Sequence, residues 1–384
     1  MLDTREQFGF FQSQHRTHNQ TVVSHIIIPA SVEHRYENSN QSKALRNALY
    51  IKSYESNGSD QNPVVFFHGG PEIVNQEQFS IMQSYFTQRG HTFYIPEIEG
   101  SAMYARAGML PTGFEPGLIP PGLKLLELQQ LGGTGLNEFT RNYADDIKDV
   151  LDEISRRHPD KKIDVITHSL GGHHLLRSLQ HYPDLSQKIN GICNVAGTVD
   201  IGANRFINTL KNTPRSIFEL RLEIESIRFV KSCANENQDG PRIDRNSNPS
   251  VDQHMNGQLS VLYGNTTCFP PILFLHATDD QNVFFQGSLS LQQKMQQNGC
   301  IAHGLYFSSG GHQFIKNEGD PEVRVRALEA MEDFFQQPAK KIESDISQLQ
   351  YEDVLTEHLH FLEDKESYLN NFYEGNPKAQ RPAA

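Results

Sequence analysis

Short apolar runs alternate with longer amphipathic stretches along most of the chain. Strand-like runs fall at residues 21–28, 48–54, 64–67, 92–95, 163–167, 191–195, 272–276 and 303–307. Several are continuously apolar, as in Val64-Val-Phe-Phe and Ile272-Leu-Phe-Leu, which marks strands covered on both faces. Between them, residues 76–89, 136–157, 172–181, 288–298 and 320–335 carry apolar positions at helical spacing. Alternation of this kind predicts a mainly parallel sheet of eight strands with helices on both faces. The first two strands leave little room for a helix between them and are expected to form an antiparallel edge.

The pattern breaks in four places, and these breaks set the expected organisation. Residues 1–20 are rich in Gln and His and read as an irregular N-terminal arm. Residues 21–200 hold the first part of the sheet domain, with a Pro-, Gly- and Leu-rich insertion at 108–135. Residues 201–262 interrupt the alternation with a charged helical half and a polar half, and read as an inserted lobe. Residues 263–340 return to strand–helix alternation. Residues 341–384 begin acidic, with Ile346, Leu349, Leu355, Leu359, Leu362 and Leu369 at helical spacings, so a C-terminal helical extension is expected, packed on the body or on a protein partner.

Composition narrows the class. With 34 Lys+Arg against 46 Asp+Glu the net charge is −12, which disfavours nucleic acid and anionic lipid as partners. No run approaches about 18 apolar residues, so no membrane span is expected. The opening MLDTREQFGFFQ is charged and lacks the apolar core of a secretory signal, so a cytoplasmic location is expected, with delivery by a signal-less secretion machine as the other route. Cys193, Cys233, Cys268 and Cys300 are far apart and form no CxxC, pointing to reduced buried thiols rather than zinc or a disulfide framework. His173 and His174 are adjacent on a helix and so point in different directions, and His15/His18 and His358/His360 lack further ligands nearby, so no metal site is predicted.

Four segments carry chemistry. In Ile163-Asp-Val-Ile-Thr-His-Ser-Leu-Gly-Gly172 an apolar strand runs into a serine flanked by small residues, and a helix follows. A sharp strand-to-helix turn there exposes the hydroxyl at the carboxyl edge of the sheet, and the helix start behind it offers free N–H groups to an oxyanion. Val64-Val-Phe-Phe-His-Gly-Gly-Pro71 ends a buried strand in glycines whose backbone N–H groups stay accessible. Pro271-Ile-Leu-Phe-Leu-His-Ala-Thr-Asp-Asp-Gln-Asn-Val283 ends a strand in paired aspartates, and Ser308-Ser-Gly-Gly-His-Gln-Phe314 puts a histidine in a glycine-rich loop after the last strand. Serine, acid and histidine each follow the carboxyl end of a strand, where open α/β sheets place their sites.

This order and spacing resemble the α/β-hydrolase superfamily over most of residues 21–340. The resemblance implies Ser169 as nucleophile, Asp280 rather than Asp279 as acid (from its spacing to Val283), and His312 as general base. It implies an oxyanion hole from the N–H groups of Gly70 and Leu170, makes 201–262 the cap, and requires no cofactor. One departure is Thr167, where the family usually has glycine and where a β-branched side chain is expected to crowd the turn. The elbow Thr-His-Ser-Leu-Gly-Gly is similar to that of lipases and small esterases, which favours a small-molecule or lipid ester as substrate. His-Gly-Gly-Pro is similar to prolyl iminopeptidases and prolyl oligopeptidases, so a serine peptidase is the alternative. Glu219, Glu223 and Glu225 read first as a solvated helix face and, on that alternative, as candidate amine binders; the leucines of 108–135 read either as a candidate acyl-binding lid or as a surface loop tucked onto the core. A non-catalytic binding protein on the same fold is a third reading, disfavoured by the presence of all three triad residue types.

Overall fold

A computed structural model describes residues 14–16, 22–29, 48–55, 60–69, 76–97, 143–199, 261, 265–267, 269–340 and 342. The 108–135 insertion, nearly all of 201–262, the extension beyond 342 and Gly70 lie outside the described residues.

Among the described residues nine strands form one sheet: β1 (Gln14–Arg16), β2 (Val22–Pro29), β3 (Ala48–Glu55), β4 (Val64–Phe67), β5 (Phe93–Glu97), β6 (Ile163–His168), β7 (Ile189–Val195), β8 (Ile272–Ala277) and β9 (Ala302–Phe307). Their order is β1-β2-β3-β5-β4-β6-β7-β8-β9. Pairings from β1 through β3 to β5 are antiparallel, and every pairing from β5 to β9 is parallel. All eight expected strands are present. The addition is β1, a three-residue strand within the segment read as an irregular arm; it pairs Gln14–Arg16 with Val22–Ser24 of β2.

Alternation along the parallel strands builds two cores. Val65 and Phe67 of β4, Val165 of β6, Ile192 of β7 and Phe274 of β8 face one side, covered by α2 (Tyr143–Arg157), α3 (Leu170–His181) and α4 (Phe285–Gln297) through Leu151, Leu175 and Leu289. Val64, Phe66, Ile166, Cys193 and Leu273 face the other side, covered by α1 (Ser80–Thr87) and α5 (Pro321–Gln336) through Phe86, Met331 and Phe334. Residues one apart on a strand therefore serve opposite layers, and β4, β6 and β8 are buried along their whole length. The parallel strands bring their carboxyl ends to one edge, where the candidate chemistry lies.

Candidate active site

Ser169 sits between β6 and α3, with φ 54° and ψ −125°. A positive φ at a non-glycine residue is strained, and the surroundings hold it in place. The Ser169 N–H donates to Val195 O of β7 at 3.0 Å, and its carbonyl accepts from Gly172 N at 3.1 Å and Thr198 N at 2.9 Å. The turn tolerates no extra atom on its inner side. A Cβ on Gly171 would stand 2.4 Å from Phe67 O and 2.6 Å from His68 O, both backbone atoms that cannot give way.

Thr167 does not crowd this turn. It is still in β6, paired with Asn194 of β7, and its buried Oγ1 donates to Asn194 Oδ1 at 2.8 Å. Asn194 also fills the space over Gly172 and Gly197, where a Cβ would lie 2.3 Å and 1.7 Å from Oδ1. Glycine is dispensable at 167 because the side chain points at the next strand.

His312 follows β9 through Gly310 and Gly311, whose φ values of 130° and 61° belong to glycine. Its Nε2 accepts from Ser169 Oγ at 3.0 Å, and its Nδ1–H donates to Asp280 Oδ2 at 2.8 Å. A carboxylate only accepts, so the proton rests on Nδ1 and the Nε2 lone pair faces the serine. Asp280 is buried, and its Oδ1 accepts the N–H groups of Asn282 and Val283 at 2.8 and 2.9 Å. Burial works to raise its pKa, but hydrogen bonds from His276 and His312 outweigh that and hold the carboxyl far below the usual range. Asp279 points elsewhere: its carboxylate accepts from Gly311 N at 2.8 Å and Gly310 N at 3.3 Å, fastening the loop that carries the histidine.

The structure thus brings Ser169, His312 and Asp280 into one hydrogen-bonded line. The sequence matches the family described as "Serine aminopeptidase, S33" over residues 59–319, more than half of the chain. The chain belongs to this family. Among solved structures, this S33 member is similar to the acylaminoacyl peptidase of Pyrococcus horikoshii, with TM-score 0.51 and 15% identity over 92% of this chain. It spans 45% of the length of that peptidase. It is also similar to an esterase of Pyrobaculum calidifontis, with TM-score 0.53 and 14% identity over 83% of this chain and 85% of that one. At these identities the likeness shows the α/β-hydrolase fold. No curated protein matches the sequence.

The S33 site contains residues that sequence reasoning did not single out. His168, next to the serine, donates from Nε2 to His312 O at 3.1 Å, and its ring lies 5.0 Å from the His312 ring. Burial pushes its pKa down to about 3, so it stays a neutral donor. Phe79 meets the His168 ring edge-on at 5.9 Å. His68 is likewise buried, with Nδ1 3.2 Å from Gly69 O, and burial lowers its pKa to about 4. His276 sits beside Asp280. The signal for His68, His168 and His276 was their place at strand ends, and Phe79, in the short helical turn before α1, carried none.

The oxyanion side is partly described. Leu170 opens α3, where an N–H has no preceding turn to pair with. A Cβ on Gly69 would lie 2.8 Å from Leu170 N and 2.4 Å from Ser169 Cβ, so the loop after β4 runs against the elbow. The other candidate donor, Gly70, lies outside the described residues, as do Glu219, Glu223 and Glu225. Among the described residues no group of three or more His, Cys, Asp or Glu is arranged to hold a metal, and no helix is long and apolar enough to cross a membrane.

Proposed function

We propose that this α/β-hydrolase-type serine hydrolase cleaves carboxylic esters, with Ser169 as nucleophile, His312 as general base and Asp280 as its orienting acid. The observation that carries the reading is the unbroken line from Ser169 Oγ to His312 Nε2 and from His312 Nδ1 to Asp280. As Ser169 Oγ bonds to the acyl carbon, its proton passes to His312 Nε2, and Asp280 stabilises the imidazolium. The Leu170 N–H, with that of Gly70, receives the oxyanion. His312 then gives the proton to the leaving alkoxide as the acyl C–O bond breaks, leaving an acyl-enzyme. Water attacks that ester while His312 takes one of its protons, and Ser169 leaves with that proton restored.

The ester preference rests on the Thr-His-Ser-Leu-Gly-Gly elbow and the fold shared with a known esterase. Cleavage of an acylated or N-terminal amino acid is the second reading, favoured by the family description and the fold shared with an acylaminoacyl peptidase. A fluorophosphonate probe is expected to label the protein and to fail on Ser169→Ala. Assays with p-nitrophenyl acyl esters and aminoacyl p-nitroanilides then separate the two substrates. Faster turnover of the anilides by a labelled enzyme would reverse the assignment.

A further inference from the structure

The acid of the triad has a second histidine. His276, on β8 four residues before Asp280, places Nε2 3.2 Å from Asp280 Oδ2 and 2.9 Å from Val283 O. Its Nδ1 lies 2.9 Å from Ser288 Oγ on α4. Carboxylate and carbonyl oxygens only accept, so Nε2 carries the proton and Nδ1 accepts from the Ser288 hydroxyl. The sequence Ser169–His312–Asp280–His276–Ser288 therefore runs hydroxyl, imidazole, carboxylate, imidazole, hydroxyl, with Oδ2 shared by the two rings. His276 and Ser288 are both 0% exposed, so this inner arm cannot meet a substrate.

We infer that His276, with its tautomer set by Ser288, is a positioning residue that fixes Asp280 and divides its charge between two imidazoles. This rests on the Ser169–His312–Asp280 reading above. A neutral N–H on Oδ2 weakens the hold of that oxygen on the His312 proton. Without it, the carboxylate faces His312 with its charge undivided, the imidazolium gains stability, and the free base is lost at a higher pH. Among the described residues the other groups near this line are neutral His168 from β6, Asp279 tied to Gly310 and Gly311, and Lys316, whose charge acts on His168.

The test is the pH profile of kcat/KM on a p-nitrophenyl ester for wild type, His276→Leu, His276→Gln and Ser288→Ala, each checked for folding and fluorophosphonate labelling. His276→Leu is expected to move the acidic limb up by about half a pH unit or more, with a loss of activity of roughly 3- to 10-fold below the limb and a smaller one above it. His276→Gln retains an N–H for Asp280 and should return the limb towards wild type. Ser288→Ala should shift it less and in the same direction. An unmoved limb in a folded, labelled His276→Leu protein overturns the inference, as does an equal loss in the Leu and Gln variants at every pH, which would mean packing alone. Should His276→Leu not fold, Ser288→Ala, which removes one hydroxyl, decides on the same limb. A wild type that takes no label, or a Ser169→Ala enzyme that stays active, instead overturns the triad reading itself.

Discussion

Asp279 and Asp280 are neighbours in the chain with opposite surroundings. Asp280 is buried between two histidines, while the exposed Asp279 binds two backbone N–H groups of the loop before His312. Their replacements should therefore differ in kind. Asp280→Asn keeps the shape but removes the charge that stabilises the imidazolium, and is expected to lower kcat about 10³- to 10⁴-fold with KM little changed. Asp279→Asn leaves the triad chemically intact and only loosens the loop, so a loss of about tenfold is expected. Steady-state kinetics on one ester reads both, and equal losses would show that the two carboxylates share one role. The elbow gives a second residue-level prediction. Thr167→Val removes the donor to Asn194 Oδ1 without changing the volume, and should cost about 1–2 kcal/mol in urea unfolding. Thr167→Ser should cost less, because the bond survives.

At the scale of elements, α5 shows local sequence and tertiary packing in agreement. Asp320 accepts the N–H groups of Glu322 and Val323 at 2.9 and 3.3 Å, Pro321 opens the first turn, and Val323, Ala327, Leu328, Met331 and Phe334 cover one face of the sheet. Asp320→Ala is expected to cost about 1 kcal/mol and lower Tm by roughly 2 °C, with Asp320→Ser restoring most of it. Turnover of an ester substrate at room temperature should not change, since both bonds of the cap go to N–H groups of α5 itself. Elements that carry their own signals in this way were legible in the sequence. The apolar runs of β4, β6 and β8 and the alternation of helices predict the sheet and its layers to within a few residues at each boundary. Three-residue β1 was not legible, because Gln14-His-Arg16 has no pattern of its own and becomes a strand only by pairing with β2. Motif order placed Ser169, Asp280 and His312 at one edge. It could not show that Asn194 fills the space behind the elbow, nor that His276 and Ser288 stand behind Asp280. Those roles depend on which strands and helices become neighbours, and His276 and Ser288 are twelve residues apart on different elements.

The whole molecule has two ends that answer to pH for different reasons. The line at the carboxyl edge depends on an ionised Asp280 and a neutral His312. At the amino edge, Asp164 near the start of β6 accepts from Asn190 Nδ2 at 2.8 Å and feels His91, whose Nε2 lies 3.6 Å from Glu332 Oε2. Burial pushes the Asp164 pKa up to about 7, against the opposing pull of Asn190 and His91. An acid whose folded value is raised binds its proton more tightly in the native state. Its contribution to stability is therefore full below the unfolded value of 3.8 and is lost as pH rises through about 7. Asp164→Asn copies the protonated side chain and escapes that loss. The variant should match wild type in acid and exceed it by roughly 4 kcal/mol at mildly alkaline pH, with the gap opening between the two pKa values and flat beyond them. Denaturant unfolding near pH 5 and near pH 8 reads the difference. A gap that stays constant, or that closes as pH rises, would mean that Asp164 is ionised in the native state across this range. The pH profile of ester turnover should not move in Asp164→Asn, because the two groups lie at opposite ends of the same strands. Stability and catalysis are thereby separable in one protein by a single amide.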